Sequence, residues 1–386
     1  MKFQVDRDTF ADAVSWTAKS LPTRPSVPVL AGARLSVDEG ELTISGFDYE
    51  ISTRVTVAVT GESAGTTLVS GKLLSEIVKA LPNKPVNFTV DGPHAELTCG
   101  SARFTLPTMP LEDYPSLPQM PEAIGTIDAD EFAKAVAQTA IAAGKDETLP
   151  TMTGVQLELT GGGMGMLATD RYRMAIRDSS WEPGESDVAV TVLVPAKALA
   201  DTARTFGSTS GNSGGSVTIA VPLGTEGSPG MVGFIAGGRQ TTSRVLDGQL
   251  PPLRSLLATS YSTTLKVKTS DLIEVARRVA LVGDRNSPIR LSFDEDGLVV
   301  EAGGAEDAKA SEGMDCVLDG EPGKIAFNPT YLLDGLSVVD APVTAFKMNE
   351  LGKPVVMSGE GAPEDEESDT KHDGYLYMLQ PLRWDA

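Results

Sequence analysis

Two Gly-x-Ser-x-Gly runs, Gly61-Glu62-Ser63-Ala64-Gly65 and Gly211-Asn212-Ser213-Gly214-Gly215, are the first residues whose type and spacing could do chemistry. Such a run can present a serine nucleophile, provided a buried strand precedes it, a helix follows it and a histidine serves as base. Both runs read instead as hydrophilic turns. The only imidazoles, His94 and His372, stand alone in sequence, without the spacing of metal ligands. Cys99 and Cys316 are 217 residues apart, which matches neither a disulfide framework nor a zinc site, so both read as reduced core residues. Gly161-Gly162-Gly163-Met164-Gly165 lacks the following helix of a phosphate loop and reads as a hairpin turn. Asp294-Glu295-Asp296-Gly297 has the form of a solvated turn, and the acidic run Glu364–Asp369 that of a polar loop. No catalytic residue, metal site or cofactor is expected.

The elements that would have to position any site are more informative. The 386 residues carry a formal charge of −21 and are 41% apolar, a globular composition long enough for two to three domains. No run approaches the ~20 apolar residues of a membrane span, and the charged start Met1-Lys2-Phe3-Gln4-Val5-Asp6-Arg7 is unlike a signal peptide, so a cytoplasmic location is expected. The segment Val5–Ala18 recurs as Ile127–Ala140 with eight of fourteen positions identical, and a weaker copy runs from Val267 to Ala280. In each copy apolar residues fall at i, i+3, i+4, i+7 and i+8, beginning at Phe10, Phe132 and Leu272, the buried stripe of a helix. Asp8, Asp130 and Ser270 are the expected N-caps. A second shared motif begins Thr67-Leu68-Val69-Ser70-Gly71-Lys72, Val192-Leu193-Val194-Pro195-Ala196-Lys197 and Ile325-Ala326-Phe327-Asn328-Pro329-Thr330. Alternating strands such as Ile51–Val59 follow the first helices. Proline-rich joints at Pro118–Ala123 and Leu250–Ser255 read as extended connectors. The expected fold is α+β, three repeated domains of two helices each packed on antiparallel sheets, spanning 1–122, 123–257 and 258–386.

A chain at −21 should be repelled by polyanions, yet a Debye length of ~8 Å at physiological salt lets a local basic face act by itself. The 70–84 stretch sums to +2 and the 195–206 stretch to +1. Arg277 and Arg278 are balanced by neighbouring acids.

Together with the three repeats, the stretch Leu21-Pro22-Thr23-Arg24-Pro25-Ser26-Val27-Pro28-Val29-Leu30, the segment Ala168-Thr169-Asp170-Arg171-Tyr172-Arg173-Met174-Ala175 and the ending Pro381-Leu382-Arg383 resemble the bacterial β sliding clamp. That family is the processivity subunit of the DNA polymerase III holoenzyme, and the flavour is actinobacterial. The resemblance implies a non-enzymatic, head-to-tail homodimeric ring around duplex DNA. Implied partners are the polymerase III catalytic subunit, the clamp loader, repair polymerases, ligase and mismatch-repair proteins, with no membrane partner and a nucleoid-associated location. By the same resemblance, Arg24 and Lys145 sit in loops near the DNA channel, Lys72 and Lys197 on channel helices, and Phe104, Leu106, Leu281 and Val282 form the dimer interface; Lys79, Arg204, Arg277 and Arg278, taken from the charge placement on the helices, are expected in the channel with them. A pocket for client peptides falls on Met152, Thr169, Arg171, Tyr172, Arg173, Met174, Pro251, Ser255, Leu256, Asn328, Tyr331, Val355, Met378, Pro381, Leu382 and Arg383. Arg171-Tyr172 replaces a commoner glycine-histidine pair, and Gln380 stands where an apolar residue is usual. Two alternatives stay open: a duplicate clamp serving antibiotic self-resistance, and a cytoplasmic hydrolase built from repeated domains and working through paired carboxylates.

Overall fold

The computed structural model describes residues 1–207, 215–222, 230–283, 287–303, 308–361 and 374–383. The second Gly-x-Ser-x-Gly serine, Asp284 and Arg285, the acidic run Glu364–Asp369, and His372 lie outside the described residues.

Three helices open the repeats: α1 (Arg7–Ser20), α3 (Ala129–Ala140) and α5 (Thr269–Val279). Between and after them lie α2 (Gly71–Ala80), α4 (Ala196–Gly207) and α6 (Pro329–Ser337). The predicted stripes are buried: Phe10, Ala13, Val14 and Thr17 in α1, Phe132, Ala135, Val136 and Thr139 in α3, Leu272, Val275, Ala276 and Val279 in α5. The caps differ from expectation. Asp6, not Asp8, accepts from Thr9 N at 2.9 Å, and Asp128, not Asp130, accepts from Asp130 N at 2.9 Å. Asp8 and Asp130 thus fall inside the first turn, where the helix dipole favours their charge. Ser270 is likewise internal, since α5 begins at Thr269 with no side-chain cap.

The chain divides into two compact units. The first comprises Met1–Asp130, Glu182–Glu185 and Asp201–Val245. It holds a five-stranded antiparallel sheet ordered Thr60–Ser63, Lys2–Val5, Val86–Asp91, His94–Cys99, Ala102–Pro107. It also holds a nine-stranded sheet ordered Glu182–Pro183, Ala123–Asp128, Ser216–Ala220, Met231–Ala236, Arg239–Arg244, Ile51–Ala58, Glu41–Phe47, Gly32–Asp38, Gly65–Ser70. The run Gly61–Gly65 therefore lies in strands instead of a turn. Phe3 stacks on Phe88 at 5.2 Å with Phe10 edge-on to both, which anchors α1 to the five-stranded sheet.

The second unit comprises Glu131–Trp181, Ser186–Ala200 and Leu246–Ala386. Its nine-stranded sheet runs Ala189–Pro195, Gly154–Thr160, Gly163–Thr169, Arg173–Ser179, Tyr375–Leu379, Val355–Glu360, Val343–Met348, Thr263–Lys268, Val317–Asp319. A four-stranded sheet runs Ala310–Met314, Gly297–Ala302, Ile289–Asp294, Gly323–Phe327. In both units one strand pair joins successive thirds of the chain: Ile51–Ala58 with Arg239–Arg244, and Arg173–Ser179 with Tyr375–Leu379. The glycine run at 161–165 is a hairpin turn as expected. Cys99 is buried with its thiol 3.2 Å from two carbonyls, whereas Cys316 is only half-buried, a departure from the core role expected of both.

Candidate functional site

In the second unit the pairing of Arg173–Ser179 with Tyr375–Leu379 sets Met174 opposite Met378 and Ile176 opposite Leu376. Because side chains alternate across a strand, these four share one face, with Tyr375, Tyr377 and Leu379 on the other. Leu167 and Leu193 extend the apolar face, and Leu250 and Leu253 pack onto it, with Met152, Leu246 and Leu257 around them. The cluster is roofed incompletely. Leu256 is 61% exposed, Tyr172 55% and Leu382 39%, so large apolar groups surround a floor that folding has not covered.

The wall at Thr169–Arg173 is a tight hairpin turn. Asp170 Oδ1 accepts from Tyr172 N and Arg173 N, each at 3.1 Å, and Thr169 Oγ1 donates to Arg173 O at 2.7 Å. Arg171 takes φ +78°, a conformation that suits glycine. The turn projects Tyr172 onto Tyr331 of α6, ring centroids 6.3 Å apart and nearly parallel.

Arg173, which the resemblance placed in the pocket wall, is held from within the unit. Its guanidinium is buried, bonded to Asp170 (3.0 Å), Asp334 (2.6 Å) and the Tyr377 hydroxyl (3.3 Å), and lies 4.4 Å from the Tyr331 ring centroid. Burial works against its charge, but Tyr377, Asp334 and Asp170 outweigh that and raise its pKa. Burial pushes the Tyr377 hydroxyl up as well. Arg173 is therefore a brace that ties the turn to α6 and the last strand, a charge-assisted network in which every partner is supplied internally. Asp170, Asp334 and Tyr377 were not singled out from sequence, although an aspartate opening a four-residue turn is a readable signal.

The connector forms the opposite wall. It is not extended throughout: Leu253–Leu256 is a 3-10 turn. Gln156 Oε1 accepts from Leu250 N at 2.9 Å, and Arg254 spans to Glu158 (3.0 Å) and Asp178 (3.0 and 2.5 Å), raising its pKa through those carboxylates. The tail closes the third side, with Gln380 N donating to Tyr172 O (2.9 Å) and Leu382 N to Ala326 O (2.8 Å).

All sixteen predicted pocket residues lie in this unit, but they divide by role. Thr169, Met174, Val355 and Pro381 are buried structure beneath the surface, and Asn328 caps α6 by accepting from Thr330 N and Tyr331 N. Arg171, Tyr172, Pro251, Ser255, Leu256, Leu382 and Arg383 are exposed, with Met152, Tyr331 and Met378 half-buried between.

Of the predicted cations, all eight are exposed. On α2 the outer face carries Lys72, Glu76 and Lys79, and on α4 the same spacing carries Lys197, Asp201 and Arg204. The corresponding α6 positions are Thr330, Asp334 and Ser337, without a cation. Arg204 pairs with Asp201, and Arg278 is held by Glu312 (2.7 Å) and Glu274 (3.5 Å), so these two are partly neutralised where they stand. Of the predicted interface residues, Leu281 is 83% exposed while Phe104 and Val282 are half-buried. Leu106 is 1% exposed, its side chain turned into the five-stranded sheet's own core, so only its main chain on the edge strand Ala102–Pro107 faces outward.

Three family models describing the DNA polymerase III beta subunit match the chain: its N-terminal domain over residues 1–118, central domain over 126–252 and C-terminal domain over 254–370. The chain is 48% identical over 383 residues to the beta sliding clamp of Streptomyces coelicolor, covering 99% of each. It is 40% identical over 384 residues to the beta sliding clamp homolog GriR of Streptomyces muensis, covering 100% of each. Among solved structures it resembles the Bacillus subtilis DNA polymerase sliding clamp, with TM-score 0.88, 26% identity and full coverage of both chains.

Proposed function

The chain belongs to the DNA polymerase III beta subunit family, the sliding clamps, and from that membership we propose that it works without catalysis, as a head-to-tail homodimeric ring that encircles duplex DNA and tethers other proteins to it. Domains at 1–122, 123–257 and 258–386 would be the repeating parts of the ring. The incompletely roofed apolar floor of the second unit carries the reading. Clients would seat a leucine or aromatic anchor over Met174, Met378 and Leu376, between Tyr172, Leu256 and Leu382. Methionine suits varied anchors because it is flexible and polarizable. The clients proposed are the polymerase III catalytic subunit, the loader, repair polymerases, ligase and mismatch-repair proteins, all met at the nucleoid in the cytoplasm.

The strands Ala102–Pro107 of the first unit and Ala310–Met314 of the second lie at sheet edges among the described residues and would offer main-chain donors and acceptors to a second copy. Lys72, Lys79 and Lys197 would attract phosphates weakly and without sequence preference. A duplicate resistance clamp is not favoured over the housekeeping role.

The test is a folded Met378→Ala, Leu382→Ala double variant. Peptide binding and processive synthesis should be lost with the dimer intact, each truncation costing about 1–2 kcal/mol. Undiminished client affinity would overturn the assignment.

A further inference from the structure

The four-stranded sheet of the second unit ends, among the described residues, on the strand Ala310–Met314, and none of that strand's five residues is buried. Its main chain pairs with Gly297–Ala302 in a register that sets Met314 opposite Leu298, Glu312 opposite Val300 and Ala310 opposite Ala302. Cross-strand partners share a face, and Leu298, Val300 and Ala302 are all buried, so Glu312 puts a carboxylate on the core face of an edge strand. Ser311 and Gly313 take the exposed face. An inward-pointing charge at such an edge ordinarily keeps other strands from adding to it, because an arriving strand would bury the charge.

Here the charge is met from within the unit. Helix α5 buries Leu272, Val275, Ala276 and Val279 and leaves Arg278 exposed on its flank. Arg278 Nη2 donates to Glu312 Oε1 at 2.7 Å and Nε to Glu312 Oε2 at 3.1 Å, a two-bond fork, while Nη1 lies 3.5 Å from Glu274 Oε2 one turn back. The bonds from Arg278 hold the Glu312 carboxyl below its usual range. A guanidinium expected in the DNA channel is thus turned toward the sheet's edge, where it occupies both oxygens of the one carboxylate that an added strand would cover.

We propose that Arg278 is a positioning residue for ring closure: by satisfying both oxygens of Glu312 it sets the strand Ala310–Met314 against α5 and lets the edge strand Ala102–Pro107 of a second copy pair there without burying an unmet charge. The inference rests on the head-to-tail ring of the proposed function and adds the contact inside one chain that makes this edge competent to close it. Because the pair is formed before the second copy arrives, its ordering is not charged to assembly. In the single chain the Arg278 and Glu312 side chains are 52% and 39% exposed, so water can solvate a carboxylate stranded by loss of Arg278. The penalty appears when the second strand removes that water, which separates an effect on assembly from an effect on folding.

The experiment is fluorescence-detected sedimentation of the labelled full chain over a dilution series, for wild type, Arg278→Gln, Glu312→Gln, the double variant and Arg278→Lys, with circular dichroism as the check on folding. An exposed two-bond pair is worth about threefold in an equilibrium constant, and both equivalent interfaces must open before the ring becomes two single chains, so Arg278→Gln should raise the dimer dissociation constant about tenfold. Glu312→Gln and the double variant, which leave no carboxylate to strand, should both stay within about threefold of wild type, and Arg278→Lys, keeping the charge with a single contact, should fall between. Recovery in the double variant is the result that a merely structural Arg278 would not give. A constant for Arg278→Gln within twofold of wild type, or a double variant as weak as Arg278→Gln, would overturn the proposal. So would lowered affinity of Arg278→Gln for a short duplex at an unchanged dimer constant, which would make the arginine a phosphate contact. If Arg278→Gln loses its native circular dichroism, Arg278→Lys decides, and a constant within twofold of wild type overturns the proposal. A wild type that stays a single chain at micromolar concentration would overturn the ring and this proposal with it, whereas a wild-type dimer indifferent to Arg278 would overturn the proposal alone.

Discussion

Removing the Arg254 clasp should weaken client binding while leaving the fold nearly as stable. Arg254 carries the 3-10 turn Leu253–Leu256, whose outer residues Ser255 and Leu256 form one wall of the pocket, and its guanidinium grips Glu158 and Asp178 on two different strands. The side chain is 42% exposed, so solvent screening limits the loss of stability in Arg254→Met to about 0.5–1 kcal/mol. Freed from its anchor, the wall must be ordered again each time a client docks, at about 0.5–1.5 kcal/mol for each immobilised side chain. An affinity loss of about 1 kcal/mol, roughly fivefold, is therefore expected. A second variant reaches the same result without removing charge: a Cβ on Gly165 would lie 2.5 Å from Arg254 Nη2 and 3.1 Å from Glu158 Oε2, so Gly165→Ala should push the guanidinium off its partners. Arg254→Lys, able to reach one carboxylate, should recover part of the affinity. The assay is peptide anisotropy beside thermal melting. Unchanged client affinity, within twofold, in both Arg254→Met and Gly165→Ala would refute the role of the clasp.

Arg171→Gly should raise the melting temperature, because Arg171 is held at φ +78° at a cost of about 1 kcal/mol that glycine avoids; an unchanged or lower Tm in calorimetry would contradict this. Burial would push the Glu360 carboxyl up, but Lys266 (2.7 Å) and Lys347 (3.1 Å) outweigh it and hold the carboxyl below its usual range. A lowered carboxyl pKa stabilises the fold above the unfolded value of about 4.3 and loses that contribution as pH falls through the folded value. The melting difference between wild type and Glu360→Gln should accordingly be present at pH 7 and vanish near pH 3, and a difference independent of pH would count against the pairing. Lys72→Glu with Lys197→Glu should slow loading onto DNA in a salt-dependent manner with little change in retention on closed circles, as followed by surface plasmon resonance; equal loss of both would make the lysines part of the hold itself.

The helices were legible because the stripe beginning at Phe10, Phe132 and Leu272 obeys a single period that burial then enforces. Their caps were not, since Asp6 and Asp8 are chemically alike and only the backbone path decides which oxygen meets Thr9 N. The apolar pocket floor could be named from Met174 and Met378, but that they face one another depends on register between strands about 200 residues apart. The resemblance put Arg173 in the pocket wall, and the sequence does not show that Asp334 binds its guanidinium from behind. The burial of Leu106 was not legible for a related reason: alternation along Ala102–Pro107 assigns two faces without saying which is the inner one.

Retention by topology is tested most directly by loading the protein onto nicked circular duplex and following its release after a single restriction cut, at fixed salt. Encirclement predicts that the clamp stays on the circle for the length of the measurement, leaves within the time needed to slide to an end once the DNA is linear, and is retained again when both ends are blocked by bound protein. Release from the intact circle at the same rate as from the cut molecule would contradict it.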